Sequence, residues 1–352
     1  MIKRHEKNPL ISPKDLKPSR PDFKVECTFN AGVTECNGEV ILLVRVAESV
    51  ISNDKNIIKV PLLEEKDGKC ELVIRDFDRN DPKYNFADSR CISEKKDAFK
   101  VFLTSLSHLR IARSSNGVDF RIDDKPFLFP STKYEAFGTE DPRITLIEGK
   151  YYINYSAVSS LGITTALAVT TDFKSVERLG IIFEPDNRDV CFFPEKVNGK
   201  YLALHRPAQR YIGKPEMWLG KSDNLMYWGD HSHFLGSSND IWDRQKLGGG
   251  APVIKTDKGW LEVYHGVDEN NRYCLGVLLM DINNPMKIIA KSKEPLIQPE
   301  TEYELKGFFG NVVFTCGALI RNSELWIYYG AADEKMCLGT ISLNDLWKHL
   351  GV

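Results

Sequence analysis

The stretch GTEDPRIT (138–145) places two carboxylic acids, Glu140 and Asp141, directly before a proline. Its ordinary interpretation is a loop in which Asp141 caps a turn and Pro142 fixes the backbone φ angle. In that case Arg143 pairs with a nearby carboxylate. The alternative is that one of the two acids does chemistry, and its surroundings must then favour that role.

A general acid needs a setting in which it keeps its proton. A carboxylic acid among apolar and aromatic groups can stay protonated near neutral pH and donate its proton to a leaving oxygen. Tyr134 and Phe137 precede Asp141, and the strand-like run EGKYYINYSA (148–157) follows it. We therefore predict that Asp141 is a catalytic acid on a loop that leads into the first strand of a repeat.

Four basic residues lie far apart in a chain that has no net positive charge. They are Arg188 in NRDVCFFPEK, Arg206 in LHRP, Lys246 in RQKLGGGAP and His265 in VYHG. Each one alone is best explained as a solvated surface residue. Together they suit a compact dianion, because Arg offers a planar fork and Lys a point charge. The glycines 248–250 predict a loop that a ligand can approach closely, although the spacing of a Walker loop is absent.

The composition indicates an ordinary globular protein. The chain has 352 residues, of which 42% are hydrophobic and 27% charged, and a formal net charge of −2. A charge so close to zero argues against nucleic acid as a partner, so an anion site must be local. The chain contains no run of 18 apolar residues, and its N-terminus lacks the apolar stretch of a signal peptide. We predict a cytoplasmic protein that does not bind membranes.

The eight cysteines are scattered along the chain. They form no CxxC pair, and no His lies at the spacing of a metal ligand. Most lie in apolar runs, where a reduced cysteine behaves as a small hydrophobic residue. The pattern therefore predicts neither a metal site nor a disulfide framework.

A pair of strands separated by turns recurs five times. The copies are residues 37–48 with 109–120, 148–157 with 165–173, 198–207 with 216–230, 258–266 with 273–285, and 323–333 with 336–346. Each hairpin is too short to bury its own apolar face, so the copies must pack on one another. We predict an all-β fold: one five-bladed β-propeller domain over 1–352, with a short helix at the C-terminal DLWKHLGV. A β-sandwich or two stacked domains is the alternative.

The register of the copies brings polar residues to equivalent places. Arg45, Ser156 and Arg206 each lie seven residues after the glycine of their turn, and His265 lies six after its own. In a propeller such positions converge at one end of the axis, which favours a shared pocket. An insertion at about 49–106 separates the two strands of the first copy.

Eight stretches together resemble a known family. They are FNAGV (29–33), RVAE (45–48), GTEDPRIT (138–145), DVCFFPEK (189–196), LHRP (204–207), LGGGAP (247–252), YHG (264–266) and YYGAAD (328–333). In this order, over essentially the whole chain, they resemble glycoside hydrolase family 130, which contains the β-mannoside phosphorylases. The resemblance implies a five-bladed propeller, in agreement with the repeats.

The resemblance also implies roles for individual residues. Asp141 corresponds to the general acid of the family. The residues that match the inorganic phosphate site are Arg188, Arg206, Lys246 and His265, and those that match the site of the transferred mannosyl unit are Asn30, Arg45 and Asp333. Glu140 is expected to orient the site and Arg143 to anchor its loop.

One acid and a basic cluster suit phosphorolysis. An inverting glycosidase uses two carboxylates, one of which activates water, whereas phosphate is already an anionic nucleophile. The resemblance implies that inorganic phosphate attacks a β-mannoside with inversion, giving α-mannose 1-phosphate and a shortened sugar, without a metal or cofactor. The alternatives are a hydrolase on the same fold and a carbohydrate-binding propeller without catalysis.

The linkage and the role of the insertion stay open at the level of sequence. The N-terminal segment, through FNAGV, most resembles family members that act on β-1,2-linked mannobiose or oligomannosides, with β-1,4-linked substrates as the alternative. The insertion at 49–106 forms either a wall of the acceptor subsite or a contact between subunits of a homo-oligomer.

Overall fold

The computed structural model describes residues 2–209, 211–237 and 241–352, and strands dominate them. In the first half of the chain the strands are β1 (Lys3–Arg4), β2 (Phe23–Cys36), β3 (Glu39–Val50), β4 (Ile57–Lys66), β5 (Lys69–Asp78), β6 (Tyr84–Asn85), β7 (Cys91–Glu94), β8 (Asp97–Leu103), β9 (Leu106–Ser114), β10 (Arg121–Ile122), β11 (Gly138–Ile147), β12 (Lys150–Ser159), β13 (Gly162–Thr170) and β14 (Glu177–Phe183).

In the second half they are β15 (Asn187–Phe192), β16 (Tyr201–Pro207), β17 (Met217–Ser222), β18 (Trp228–Leu235), β19 (Lys246–Gly249), β20 (Ile254–Thr256), β21 (Gly259–Val267), β22 (Tyr273–Met280), β23 (Ile288–Lys291), β24 (Val313–Arg321), β25 (Glu324–Ala331) and β26 (Lys335–Ser342). The helices of the described residues are α1 (Glu302–Leu305) and α2 (Leu343–Leu350), with 3₁₀ turns at Pro13–Asp15, Lys133–Glu135 and Ile241–Asp243. None of these helices has the length and apolar character needed to cross a membrane.

Most of the strands form antiparallel groups that follow one another along the chain. The first group is β2, β3, β9 and β10, the second β11–β14, the third β15–β18, the fourth β19–β23, and the fifth β24–β26 with β1. A single parallel pairing, Gly138 with Ser107, joins the first two groups into one eight-stranded sheet. The prediction of a nearly all-β chain is confirmed, and α2 forms where the C-terminal helix was predicted.

The predicted hairpins form the middle strands of these groups. For example, 148–157 and 165–173 fall on β12 and β13, which pair over nine residues from Tyr151 to Ser159. The sequence did not reveal the strand that precedes each hairpin, namely β2, β11, β15, β19 and β24, here called the first strands. Each first strand packs beside strands of the neighbouring groups.

Apolar side chains fill the space between consecutive groups. One cluster joins Leu43 and Ile111 of the first group to Ile153 of the second. Further clusters lie between the second and third, third and fourth, and fourth and fifth groups. A fifth cluster packs Val44 of the first group against Tyr328 of the last group, so the two ends of the chain share a core.

The residues between β3 and β9 form two small sheets of their own. β4 pairs with β5, and β7 pairs with β6 and β8. Their apolar faces, which include Phe77 and Phe102, pack on Val158 of the second group and on Phe137, which directly precedes β11. This contact fixes the insertion against one side of the main strand groups.

Candidate active site

One cavity contains all eight predicted site residues. It has a volume of about 470 Å³. Its lining residues are Asn30, Arg45, Arg90, Glu140, Asp141, Arg188, Asp189, Arg206, Lys246, His265, Asn271, Tyr273, Phe309, Val312, Phe314 and Asp333. We call Asn30, Arg45, Glu140, Asp141 and Asp333 the acid set, and Arg188, Arg206, Lys246 and His265 the basic set.

Bulges in three first strands supply polar residues to this cavity. The pairing register shifts after Phe29 in β2, after Glu140 in β11 and after Arg188 in β15. The residue that follows each shift has positive φ: 49° at Asn30, 48° at Asp141 and 54° at Asp189. Asn and Asp tolerate this conformation better than other side chains, and a bulge redirects a side chain out of the regular alternation.

The bulge corrects the prediction for GTEDPRIT. These residues are not a loop that leads into a strand, because β11 itself runs from Gly138 to Ile147. Glu140 pairs with Ser156 and Arg143 with Asn154. The two residues between them, including Pro142, are left out of the ladder, so proline costs no hydrogen bond here.

The surroundings of Asp141 are ionic, and the predicted aromatic setting was wrong. Its Oδ1 atom accepts hydrogen bonds from Asn30 Nδ2 at 3.0 Å and from Arg45 Nη1 at 2.9 Å. Phe137 packs in the cluster beneath the insertion, and Tyr134 is an exposed residue. Asp141 is therefore held by a cation and an amide.

Arg45 links the two acids of the EDPR stretch. Its Nη2 atom lies 2.8 Å from Glu140 Oε1, and its Nε donates to Ser107 Oγ at 3.1 Å. The guanidinium also lies over the Phe29 ring, 4.4 Å from the centroid. Glu140 thus orients Arg45, which in turn fixes Asp141.

Protonation is favoured within the acid set. Burial raises the pKa of Glu140, more than Arg45 lowers it, and the neighbouring Asp141 raises it further. Burial raises the pKa of Asp333 to about 7, against the opposing effect of Arg45. Burial and the mutual repulsion of neighbouring carboxyl groups therefore favour the protonated forms of Glu140 and Asp333, despite the nearby guanidinium groups.

Asp189 organises the basic set. It accepts a hydrogen bond from Arg206 Nε at 2.6 Å, and its other oxygen lies 3.2 Å from Arg143 Nη2. Burial alone would raise the pKa of Asp189, but Arg206 and Arg143 outweigh it and hold this pKa well below the ordinary value. His265 Nε2 lies 3.6 Å from the same carboxylate.

Arg143 anchors the bulge, as expected. Its Nε donates to the Gly250 carbonyl at 2.8 Å and its Nη1 to the Asp141 carbonyl at 3.1 Å. The side chain is buried, and with Asp189 it connects β11 to β15 and to the residues after β19. The Arg143 guanidinium therefore contacts both the backbone of Asp141 in the acid set and Asp189, which organises the basic set.

The remaining basic residues differ in charge. Burial, reinforced by Arg206, lowers the pKa of Lys246 to about 8, so its ammonium group is charged at neutral pH. Burial lowers the pKa of His265 to about 3, so its imidazole is neutral there and offers a hydrogen bond rather than a charge. Lys246 Nζ donates to the Tyr273 hydroxyl. Arg188 lies opposite Arg206 in the ladder, and its Nε has no partner in the described part of the chain.

The three glycines after Lys246 have a different function from the one predicted. Gly248 and Gly249 belong to β19, and a Cβ on Gly248 would lie 2.6 Å from Asp189 Oδ2 and 2.9 Å from Arg206 Nε. The small residue is thus needed because the side chains of the basic set pack against the strand. The expectation of a loop open to a ligand is replaced by this close packing.

Sequence reasoning missed several lining residues. Asp189 follows Arg188 directly, and an acid beside a predicted anion ligand was a usable signal. Tyr273 opens β22, and aromatic residues at strand ends are too common to single out. Arg90 and Phe309 lie outside the repeat pattern, so no periodicity pointed to them.

The chemistry of this cavity is that of group transfer to an anion. The carboxyl groups of the acid set, whose burial favours a retained proton, line one cavity. The charged side chains of Arg188, Arg206 and Lys246 line the same cavity. Among the described residues there is no group of three or more His, Cys, Asp or Glu side chains arranged to hold a metal ion. The arrangement can protonate a leaving oxygen while it holds an anionic nucleophile.

Comparison with known proteins identifies the family. The sequence profile of family 130 of the glycoside hydrolases, described as beta-1,4-mannooligosaccharide phosphorylase, matches residues 100–351. The chain belongs to glycoside hydrolase family 130. The family resemblance seen in the sequence is therefore confirmed.

Relatives in family 130 extend the similarity to the N-terminus. A β-1,2-mannobiose phosphorylase of Listeria innocua is 45% identical over 353 residues, which cover 100% of this chain and 99% of the relative. A solved structure of a β-1,2-mannobiose phosphorylase from Listeria innocua, in complex with β-1,2-mannobiose, matches with a TM-score of 0.94 over 99% of both chains. A 1,2-β-oligomannan phosphorylase of a Thermoanaerobacter species is 38% identical over 68% of this chain and 80% of its own.

Proposed function

We propose that this protein is an inverting phosphorylase of β-1,2-linked mannosides. It transfers a mannosyl unit from β-1,2-mannobiose or a β-1,2-mannooligosaccharide to inorganic phosphate. The products are α-mannose 1-phosphate and a sugar shortened by one unit, and the reaction runs in both directions. Inorganic phosphate is the co-substrate.

The observation that carries this proposal is the presence of the acid set and the basic set in one cavity. A hydrolase needs a second carboxylate that activates water, whereas a phosphorylase needs a site for an anion. Arg206 and Lys246 carry charge at neutral pH, and Arg188 has an unpartnered buried Nε among the described residues. Arg206 is paired with Asp189, but a buried guanidinium N–H without a partner, as in Arg188, is costly unless an anion binds it.

In the proposed mechanism, phosphate held by the basic set attacks the anomeric carbon of the mannosyl unit. The bond from carbon to phosphate oxygen forms as the glycosidic bond breaks, on the opposite face, so the β-anomer becomes α. Asp141 delivers a proton to the leaving oxygen, directly or through a hydroxyl group of the mannosyl unit. Asn30, Arg45 and Asp333 hold that unit.

The acid set accounts for the supply of the proton. Asp141 accepts hydrogen bonds from Arg45 and Asn30 and lies beside Glu140. Because burial favours protonation of Glu140 and of Asp333, the proton is retained on carboxyl groups that line the same cavity as Asp141. We infer that Asp141 receives its proton from the neighbouring carboxyl groups of the acid set. This transfer explains how an ion-paired carboxylate can serve as an acid.

Relatives that are named for β-1,2 linkages favour that linkage here. The match to the Listeria β-1,2-mannobiose phosphorylase spans 100% of this chain at 45% identity. A β-1,4-mannooligosaccharide phosphorylase of Ruminococcus albus is 32% identical over 58% of this chain. The wider and stronger match supports β-1,2-mannosides over β-1,4-mannosides.

We also propose that residues 1–352 form a single five-bladed β-propeller with an insertion at about 49–106. Each of the antiparallel groups serves as a blade. Apolar clusters lie between consecutive groups and again between the last group and the first. This is the packing that a closed ring of blades requires.

A phosphate-dependence assay tests the function. The protein is incubated with β-1,2-mannobiose or β-1,4-mannobiose, with and without phosphate, and α-mannose 1-phosphate is followed by phosphorus NMR. We expect this product only with the β-1,2 substrate and phosphate together. Release of mannose without phosphate would indicate a hydrolase, and neither product would indicate a binding protein.

Asp141→Asn tests the acid. We expect kcat to fall by about 10²- to 10⁴-fold, the usual contribution of a general acid, while the circular dichroism spectrum stays unchanged. Asp119→Asn is the matched control, because Asp119 is an exposed acid paired with Lys7. Near-normal turnover by Asp141→Asn would remove Asp141 from this role.

A further inference from the structure

The insertion contributes one side chain to the cavity. Among the lining residues, Arg90 is the one that lies between β3 and β9. It follows the short strand β6 and precedes β7, on the small sheet whose apolar face packs against the second group. The insertion therefore contributes the Arg90 guanidinium to the lining of the cavity.

Arg90 is held in place by its own loop. Its backbone N–H donates to Asp88 Oδ1 at 2.9 Å, its Nε donates to the same atom at 3.0 Å, and its Nη2 donates to Asp88 Oδ2 at 2.8 Å. Its carbonyl accepts from the Thr104 N–H at 3.0 Å, which ties the loop to the end of β8. A planar guanidinium bound in this bidentate way has a fixed orientation.

The other side of Arg90 faces an aromatic ring. The guanidinium carbon lies 4.5 Å from the centroid of Phe309, a half-buried residue of the segment between α1 and β24. The Phe309 N–H donates to the Ala332 carbonyl at 2.9 Å, and Ala332 directly precedes Asp333 of the acid set. Arg90 and Phe309 therefore bridge the insertion and the turn that carries Asp333.

Arg90 retains hydrogen-bonding capacity. Within the described residues its Nη1 donates to no protein acceptor, and its side chain is 42% exposed. A guanidinium N–H beside an aromatic ring is suited to a sugar, because the ring packs on the apolar face of a pyranose and the N–H binds a hydroxyl group. The acid set and the basic set already account for the mannosyl unit and phosphate.

We propose that Arg90, supported by Phe309, is a specificity-determining residue for the acceptor sugar, the unit that leaves in phosphorolysis and attacks in synthesis. This inference rests on the proposed function. It assigns the insertion to the acceptor side of the site, and it requires no covalent step. The proposed interaction is a hydrogen bond from the Arg90 guanidinium to a hydroxyl group of the acceptor sugar.

In the direction of synthesis, the acceptor sugar and the mannosyl donor are separate substrates, so a KM can be measured for each. Product formation is measured with α-mannose 1-phosphate as donor and mannose as acceptor. For Arg90→Ala we expect the KM for mannose to rise about 10-fold, the loss of one hydrogen bond from a charged donor, while the KM for α-mannose 1-phosphate changes less than about 2-fold. Arg90→Lys should give an intermediate KM for mannose, because a point charge replaces the fork.

Lys100→Ala is the matched control, since Lys100 is an exposed cation on the same insertion that pairs with Glu94. Thermal unfolding of each variant reports whether the insertion remains folded. An unchanged KM for mannose in Arg90→Ala, or an equal rise in both KM values, overturns the inference. If the wild-type protein transfers no mannosyl unit from α-mannose 1-phosphate, the proposed function fails first and this inference fails with it.

Discussion

At the scale of single residues, the basic set depends on one buried carboxylate whose charge is compensated by its neighbours. Asp189 is buried, yet it contacts Arg206 and Arg143 within 3.2 Å. A buried carboxylate is stable only with such partners, and it keeps basic side chains together that would otherwise repel one another. The basic set is therefore organised before an anion arrives, which lowers the cost of binding one.

The charge of Lys246 predicts how phosphate binding depends on pH. Burial lowers the pKa of this lysine to about 8, so the basic set loses one positive charge as the pH rises through that value. We expect the KM for phosphate to rise by about 3- to 10-fold between about pH 7 and pH 9. Initial rates at varied phosphate and fixed mannobiose measure this change.

The variant Lys246→Arg tests whether Lys246 causes the pH dependence of the KM for phosphate, because an arginine keeps its charge between about pH 7 and pH 9. The variant should bind phosphate less well than the wild type at neutral pH but with a KM that no longer rises with pH. Lys255→Arg, an exposed lysine paired with Glu195, is the control and should follow the wild type. The same rise in Lys246→Arg would assign the titration to another group.

At the scale of elements, the first strands determine where the functional groups lie. Regular alternation would send neighbouring side chains to opposite faces of a strand. The bulges in β2, β11 and β15 interrupt this alternation and bring Asn30, Asp141 and Asp189 into one cavity. Positive φ at a bulge is thus a structural requirement of the site.

The same bulges explain what the sequence could and could not predict. The hairpins were recognisable because apolar strands such as β12 and β16 directly follow turns that contain glycine. First strands such as β11 and β19 contain proline, adjacent charges or consecutive glycines, and such runs resemble loops. Of the four polar residues whose register predicted convergence, Arg45, Arg206 and His265 line the cavity and Ser156 does not, whereas Arg90 belongs to an insertion that no repeat constrains.

Gly248→Ala tests the close packing of β19 against the basic set. The added methyl group would lie 2.6 Å from Asp189 Oδ2, 2.7 Å from His265 Cε1 and 2.9 Å from Arg206 Nε, so at least one of these side chains must move. Overpacking of this kind costs about 1–3 kcal/mol. We expect the KM for phosphate to rise about 10-fold or more, with a smaller effect on the KM for the mannoside.

Gly229→Ala is the matched control, because a Cβ on this strand glycine would meet no heavy atom within 4 Å. Steady-state kinetics and thermal unfolding of both variants separate a local effect from general destabilisation. If Gly248→Ala binds phosphate as tightly as Gly229→Ala does, the basic set tolerates the extra volume and the packing argument fails.

At the scale of the whole molecule, the two ends of the chain meet in the last strand group. β1 pairs with β26 through Lys3 and Arg4, although these residues are more than 330 positions from their partners. Side chains of the first and last groups also share an apolar cluster. An N-terminal strand that completes the C-terminal sheet couples the stability of all groups between them.

Arg4→Ala tests this closure. Arg4 Nε donates to Glu304 Oε1 at 2.7 Å and its Nη2 donates to Glu304 Oε2 at 3.0 Å, and the Glu304 side chain is fully buried. Removal of one partner from a buried pair costs about 3–5 kcal/mol. Because Glu304 keeps the Tyr329 hydroxyl as a donor, we expect a smaller loss of about 2 kcal/mol in the free energy of unfolding.

Urea unfolding followed by circular dichroism measures this loss, and Arg20→Ala serves as the control. Arg20 pairs with the exposed Asp22, two residues away, and its guanidinium lies 5.1 Å from the centroid of the Phe23 ring, so its removal should change the free energy of unfolding by less than about 1 kcal/mol. Arg4→Ala should also unfold in one transition at a lower urea concentration, because the strand groups are coupled through the shared cores. If it matches Arg20→Ala, the contact between the two ends of the chain contributes little, and the strand groups are held together by their apolar interfaces alone.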